Sequence, residues 1–151
     1  MKNIFLAVAA FFALAAPAAA QTATNSAFTG PRVELNAGTS NLGDDFNYGA
    51  AVGADLPLGD RLTIGAQASV NDVFNRDRSI GADARLGLAL NRNLLVYGTV
   101  GYADYRLRGY DGLRYGGGAE LALSRFTFLK GEYRRSDGDV NTVLAGVGLR
   151  F

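Results

Sequence analysis

The sequence predicts an all-β chain, an eight-stranded antiparallel up-and-down β-barrel that crosses a membrane. Three observations carry that prediction. Apolar residues alternate with small or polar ones in segment after segment, and a period of two belongs to strands rather than to helices. Glycine is abundant, at 20 residues, and proline scarce, at 3, one of which lies at position 17. The final run, 141–151, places Val143, Ala145, Val147, Leu149 and Phe151 on one face and Thr142, Gly146, Gly148 and Arg150 on the other. The first face suits lipid and the second a narrow, wet interior.

The first twenty residues read as a cleaved secretory leader: Lys2 supplies the positive start, 4–16 the apolar stretch, and 17–20 the small residues before Gln21. The apolar stretch is too short to span a bilayer as a helix, which takes roughly 20 residues. One domain is expected over 21–151. It contains no further apolar run of helical-span length, so it must enter a membrane as strands.

The strands follow in order. The first, 32–39, sets Val33, Leu35 and Ala37 against Arg32, Glu34 and Asn36. After a polar link at Gly43, Asp44 and Asp45, the second sets Tyr48, Ala50, Val52, Ala54 and Leu56 against Asn47, Gly49, Ala51, Gly53 and Asp55. A tight turn at 57–60 leads to the third, with Leu62, Ile64, Ala66, Ala68 and Val70 opposite Arg61, Thr63, Gly65, Gln67 and Ser69. Beyond a longer link at 71–78, the fourth places Ile80, Ala82, Ala84, Leu86, Leu88 and Leu90 outward, with Gly81, Asp83, Arg85 and Gly87 inward.

A short turn at 91–93 precedes the fifth strand, 94–105, whose two faces both hold apolar residues. The favoured phase puts Leu94, Val96, Gly98, Val100 and Tyr102 outward and Tyr97, Thr99 and Gly101 inward. Past a loop at 106–113, the sixth shows Tyr115, Gly117, Ala119, Leu121 and Leu123 against Gly116, Gly118, Glu120 and Ala122. The seventh, from Thr127, sets Leu129, Gly131 and Tyr133 against Lys130, Glu132 and Arg134. Phe126 and Phe128 fall in the wrong phase for lipid, which implies a bulge or a longer turn. The eighth strand is the terminal run. Short and longer connections alternate, with the short link at 42–45 the exception, as periplasmic turns and external loops do in membrane barrels, and strands of roughly 9 to 11 residues suffice to cross a tilted path through the bilayer.

A soluble barrel carrying a hydrophobic ligand would show the same period with its faces exchanged. The polar face decides between them, because it repeatedly carries Gly49, Ala51, Gly53, Gly116, Gly118, Gly146 and Gly148, which a narrow lumen requires and a water-facing surface does not. Its charges nearly balance: Glu34, Asp83, Glu120 and Glu132 against Arg85, Lys130, Arg134 and Arg150. A hairpin turning about Arg125 sets Glu120 opposite Lys130, and closure of the barrel should bring Arg150 near Glu34. Paired charges of this kind would fill the lumen, since an unpaired one there is costly.

Removing Lys2 from the 15 basic residues leaves 14 against 14 acidic ones, so nothing points to nucleic acid as a partner. The absence of cysteine excludes disulfides and thiol chemistry. Histidine is absent as well, which removes Ser-His-Asp catalysis, histidine general-base chemistry and the usual zinc ligand sets. No catalytic residue, cofactor or metal is expected. Asp44, Asp45, Asp137 and Asp139 supply oxygen ligands, but their spacing matches no defined calcium loop.

The stretch 114–124, RYGGGAELALS, followed by 128–137, FLKGEYRRSD, resembles the late hairpin of the small outer-membrane barrels of Gram-negative bacteria. That superfamily groups the opacity-type surface proteins with the transmembrane domain of OmpA. The resemblance covers nearly all of the chain after the leader and rests on structural motifs: Gly-rich strand entry, inward Glu120 and Glu132, and Tyr133 near the interface. Phe151, with Leu149 two before it and Gly146 five before it, also resembles the C-terminal assembly signal of such barrels.

The resemblance implies a place in the cell outer membrane and, as partners, lipid, lipopolysaccharide and the barrel-assembly machinery. The oligomeric state is left open. It implies a non-enzymatic role in envelope structure or surface contacts, with a narrow passive channel and a soluble periplasmic carrier as alternatives. Arg106, Arg108 and Arg114 bracket one external loop and could meet lipopolysaccharide phosphates. The external loops hold few residues and no aromatic cluster beyond Phe74 and Tyr110, so a large protein-binding surface is not expected.

Overall fold

The alternating segments become eight strands: β1 (Gly30–Ser40), β2 (Phe46–Leu58), β3 (Leu62–Asn71), β4 (Ser79–Ala89), β5 (Leu94–Tyr105), β6 (Tyr110–Ala122), β7 (Thr127–Ser136) and β8 (Val140–Arg150). A computed structural model describes residues 27–41, 46–71, 79–105, 110–137 and 140–151. The leader expected at 1–20 lies outside the described residues, as do Gly43, Asp44, Asp45, Phe74, Arg106, Arg108 and Asp139. Every strand pairs antiparallel with its neighbours in chain order, and β1 pairs with β8, so the sheet closes and leaves no edge.

Directly paired residues share a face. Leu35 sits opposite Ala50 and Val147, outside; Glu34 sits opposite Ala51 and Gly148, inside. The outer face exposes Leu35 at 66%, Leu86 at 55% and Val143 at 57%, while Glu120 and Arg85 inside are 0% and 1% exposed. That inverts the usual arrangement of a soluble protein. An apolar belt of this extent needs a lipid partner, and a charged interior offers a hydrophobic ligand nothing. The soluble-carrier alternative is therefore overturned.

The glycines that marked the inner face are recesses for long side chains. A Cβ on Gly81 would strike the Arg114 guanidinium, on Gly101 the Asp83 carboxylate, and on Gly148 the Phe128 ring. Packing inside a small barrel thus alternates bulky and absent side chains at facing positions.

Four expectations are refined or corrected. In β5 the favoured phase is the observed one, with Tyr97 and Thr99 buried and Val100 and Tyr102 exposed; Leu95 is inward too, and fully buried. In β7 there is no bulge, since the register runs unbroken from Arg114↔Ser136 to Ala122↔Phe128. Phe128 is inward and buried, while Phe126 lies exposed in the turn before the strand. Leu144 of β8 also points inward, opposite Glu132. Finally, β6 starts at Tyr110 rather than after 113, because β5 and β6 stay paired up to Tyr105↔Tyr110.

Gly30, the first residue of β1, has φ of +113°, and a Cβ there would collide with the carbonyl oxygen of Phe151. Both features require glycine. Gly30→Ala is expected to destabilise the barrel by about 1–3 kcal/mol, the typical cost of such backbone strain; urea unfolding in lipid vesicles, followed by the gel mobility of unboiled samples, would measure it, and an unchanged midpoint would refute the assignment.

Candidate functional site: the charged lumen

Period-two alternation aims eleven charged side chains into the lumen, and among the described residues these buried charges number six cations (Arg32, Arg85, Arg114, Lys130, Arg134, Arg150) and five carboxylates (Glu34, Asp55, Asp83, Glu120, Glu132). They form one connected network. Glu120 of β6 is its lower centre: Oε2 accepts from Arg85 Nη2 at 2.6 Å, Oε1 accepts from Arg150 Nη2, and Arg32 Nη1 stands 3.7 Å away. Asp55 lies between Arg32 Nε at 3.3 Å and Arg85 Nε at 3.6 Å. The Arg85 guanidinium also stacks 3.7 Å from the centre of the Tyr97 ring, a contact favoured by the ring's negative face.

A second group sits around Lys130. Its ammonium donates to Glu34 on β1, past β8, and, at 3.0 Å, to Glu132 on its own strand. Glu132 also accepts from Arg134 Nε and, at 2.9 Å, from the Tyr97 hydroxyl. Gln67 joins the Glu120 group to a third, accepting from Arg32 Nη2 at 2.7 Å and donating to Asp83 at 3.1 Å. Arg114 holds Asp83 in a two-point grip, with Nε and Nη2 both at 2.6 Å, and reaches Ser69 at 2.8 Å. Charge-assisted, bidentate bonds of this kind are among the strongest side-chain contacts and fix geometry as well as energy.

The expected lumen residues Glu34, Asp83, Arg85, Glu120, Lys130, Glu132, Arg134 and Arg150 all lie inside, but two expected pairings change. Glu120 and Lys130 are directly opposite in register, yet each pairs instead with a residue on the strand next but one. Arg150 pairs with Glu120 and not with Glu34, because the register sets it opposite Arg32. In so narrow a barrel, a long side chain reaches past the neighbouring strand to the next but one. Arg85–Glu120 joins β4 to β6, and Lys130–Glu34 joins β7 to β1.

Arg114 is a further correction. It points into the lumen and is bonded to Asp83, so it does not face lipopolysaccharide. Arg32, Asp55 and Gln67 were absent from the expected network, although alternation had already placed them in phase with Glu34, Gly53 and Gly65. Asp137 accepts a bond from the Leu113 amide at 3.3 Å. At the C-terminus, Gly146 faces inward opposite Asn36 and Lys130, Leu149 faces lipid, and Phe151 is 70% exposed with its amide bonded to the Pro31 carbonyl at 2.9 Å.

A closed eight-stranded barrel with a lipid face and a charged interior matches a known family. The family model described as "Outer membrane protein beta-barrel domain" matches residues 6–151. The chain belongs to this outer-membrane barrel family. Such a barrel resides in the outer membrane, and three solved structures share its fold. The N-terminal β-barrel domain of Pseudomonas aeruginosa OprF is 16% identical with a TM-score of 0.58, covering 82% of this chain and 99% of that one. Ail, the attachment invasion locus protein of Yersinia pestis, solved with the heparin analogue sucrose octasulfate, is 14% identical with a TM-score of 0.58, covering 82% and 97%. A de novo designed barrel, TMB2.3, is 15% identical with a TM-score of 0.64, covering 82% and 94%. No curated protein matches the chain. A designed barrel among the neighbours underlines that this likeness concerns architecture.

Proposed function

We propose that this outer-membrane barrel is a non-enzymatic envelope protein whose lumen is locked by its ion pairs. The observation that carries the reading is the connected network from Arg150 through Glu120, Arg85, Asp55 and Arg32 to Gln67, Asp83 and Arg114, which crosses the interior instead of lining its wall. An open pore would keep such side chains solvated at the rim. A locked lumen leaves the lipid face, with lipid and lipopolysaccharide around it, as the working surface. Planar-bilayer recordings of the refolded protein are expected to show no sustained channel. Steady single-channel steps from a folded sample would sink the reading in favour of a narrow passive pore.

The C-terminal residues Gly146, Leu149 and Phe151 serve, on this reading, as the signal to the barrel-assembly machinery. Support comes from the exposed, lipid-facing position of Leu149 and Phe151 at the very end of the closing strand. Deleting Phe151 is expected to lower the amount of barrel recovered from outer membranes severalfold while leaving refolding in detergent intact. Equal recovery of both proteins would rule the signal out.

A further inference from the structure

We propose that residues 27–29, the segment before β1, form a strap that closes the turn end of the lumen, with Phe28 as its stopper. The argument begins with topology. In an eight-stranded closed barrel, β1 and β5 lie on opposite walls, yet Phe28, two residues before β1, is 2% exposed and packs with Leu95 and Tyr97 of β5 and Ala122 of β6. Only a segment that crosses the mouth can make those contacts. Leu95 and Ala122 adjoin the tight connections at 90–93 and 123–126, so the apolar layer lies at the end carrying the short turns and the chain's C-terminus. Short turns mark the periplasmic side of such barrels.

Three features hold the strap in place. Gly30 supplies the left-handed backbone that lets the chain leave β1 close under the Phe151 carbonyl. Arg150 donates to the carbonyl oxygen of Ala27. The same guanidinium lies 5.7 Å from the centre of the Phe28 ring and 4.8 Å from that of Phe128, so one cation clasps the strap, stacks on two aromatic rings and pairs with Glu120. The strap is thereby tied to the charged network above it.

The lumen then has two closures in series: an ion-paired middle and an apolar stopper beneath it. Inward Leu95 and Phe128, which made β5 and β7 hard to phase from sequence, belong to this lower layer. The inference adds to the locked-lumen reading but is tested apart from it, because the first measurement reads where Phe28 sits and not whether the barrel conducts.

The chain contains neither tryptophan nor cysteine, so single probes are unambiguous. In the full mature chain folded into vesicles, Phe28→Trp is expected to resist quenching by acrylamide severalfold better than Phe126→Trp in the exposed turn. It should also resist quenching by bromine-labelled lipid chains severalfold better than Leu35→Trp on the outer wall. Quenching by either agent to the level of its control would overturn the strap. In a second arm, a thiol at position 122 (Ala122→Cys) reacts with a water-soluble, membrane-impermeant reagent, and adding Phe28→Gly is expected to raise that rate severalfold in barrels whose gel mobility shows them folded. Equal rates would show that Phe28 stops nothing. If Phe28→Gly barrels fail to fold, the fluorescence arm still decides. Sustained conduction by the wild type with Phe28→Trp protected from both quenchers would refute the locked lumen and the stopper together, leaving only the position of the segment 27–29.

Discussion

Glu120→Ala is expected to destabilise the folded barrel by about 3–5 kcal/mol, the cost of breaking a buried ion pair by removing one partner. Glu120 accepts from Arg85 and Arg150 and faces Arg32, and it is fully buried. Its loss leaves guanidinium groups without their shared counter-charge in a space that water reaches poorly. Among the described residues, the lumen would then hold six cations against four of the present five carboxylates. Asp55 bridges Arg32 and Arg85 but stands 3.3 and 3.6 Å from them, so it cannot replace the short bonds to Glu120. Urea titration in lipid vesicles, read by the heat-dependent gel shift, measures the loss. A double-mutant cycle with Arg85→Gln isolates the pair, because removing both partners should cost less than the sum of the single changes. A loss under about 1 kcal/mol for the single variant would place Glu120 in the range of a surface pair and contradict the network.

The second large effect lies on the other wall. Leu35→Arg is expected to destabilise the barrel in a bilayer by about 2–4 kcal/mol, the cost of a basic residue on the lipid face near the midplane. Leu35 lies in the middle of β1, flanked by Ala50 and Val147, and is the most exposed residue of that strand's apolar face. On a soluble barrel, the same substitution would touch only water and change stability by no more than about 0.5 kcal/mol. Phe126→Arg, in the exposed turn, supplies the matched control and should have little effect. A small loss at Leu35, equal to the control, would mean that the outer wall is not embedded.

Much of the fold could be read directly, because alternation is a local property. The phase of β3, with Leu62 and Ile64 outward and Gln67 and Ser69 inward, follows from the side-chain direction of single residues and appears unchanged in the register with β2 and β4. The hairpin joining β6 to β7 likewise set Glu120 opposite Lys130, as Arg125 at the turn required. Where both faces were apolar, local information was weaker. Leu95, Phe128 and Leu144 are inward for a reason that no window of sequence holds: Leu95 meets a ring from before β1, and Phe128 fills the space left by Gly148 on the next strand.

The partners of the charges were less legible than their positions. Sequence spacing predicts contacts between neighbouring strands, and Arg85 with Glu120, or Lys130 with Glu34, are not on neighbours. Arg114 lies within β6, which begins at Tyr110 and not after 113, so a residue that spacing places at the rim faces the lumen.

By itself, then, the sequence determined the strand count, the inward and outward face of most residues and the membrane as the surrounding solvent, since each depends on a period of two and on the chemistry of one face at a time. Only the tertiary structure decided which cation meets which carboxylate, and that Phe28 crosses the mouth beneath them. Closure wraps the sheet so tightly that residues two and three strands apart come into contact, as Arg85 with Glu120 and Arg114 with Ser69 do, and such a contact depends on the cylinder's radius and stagger, which no single strand encodes.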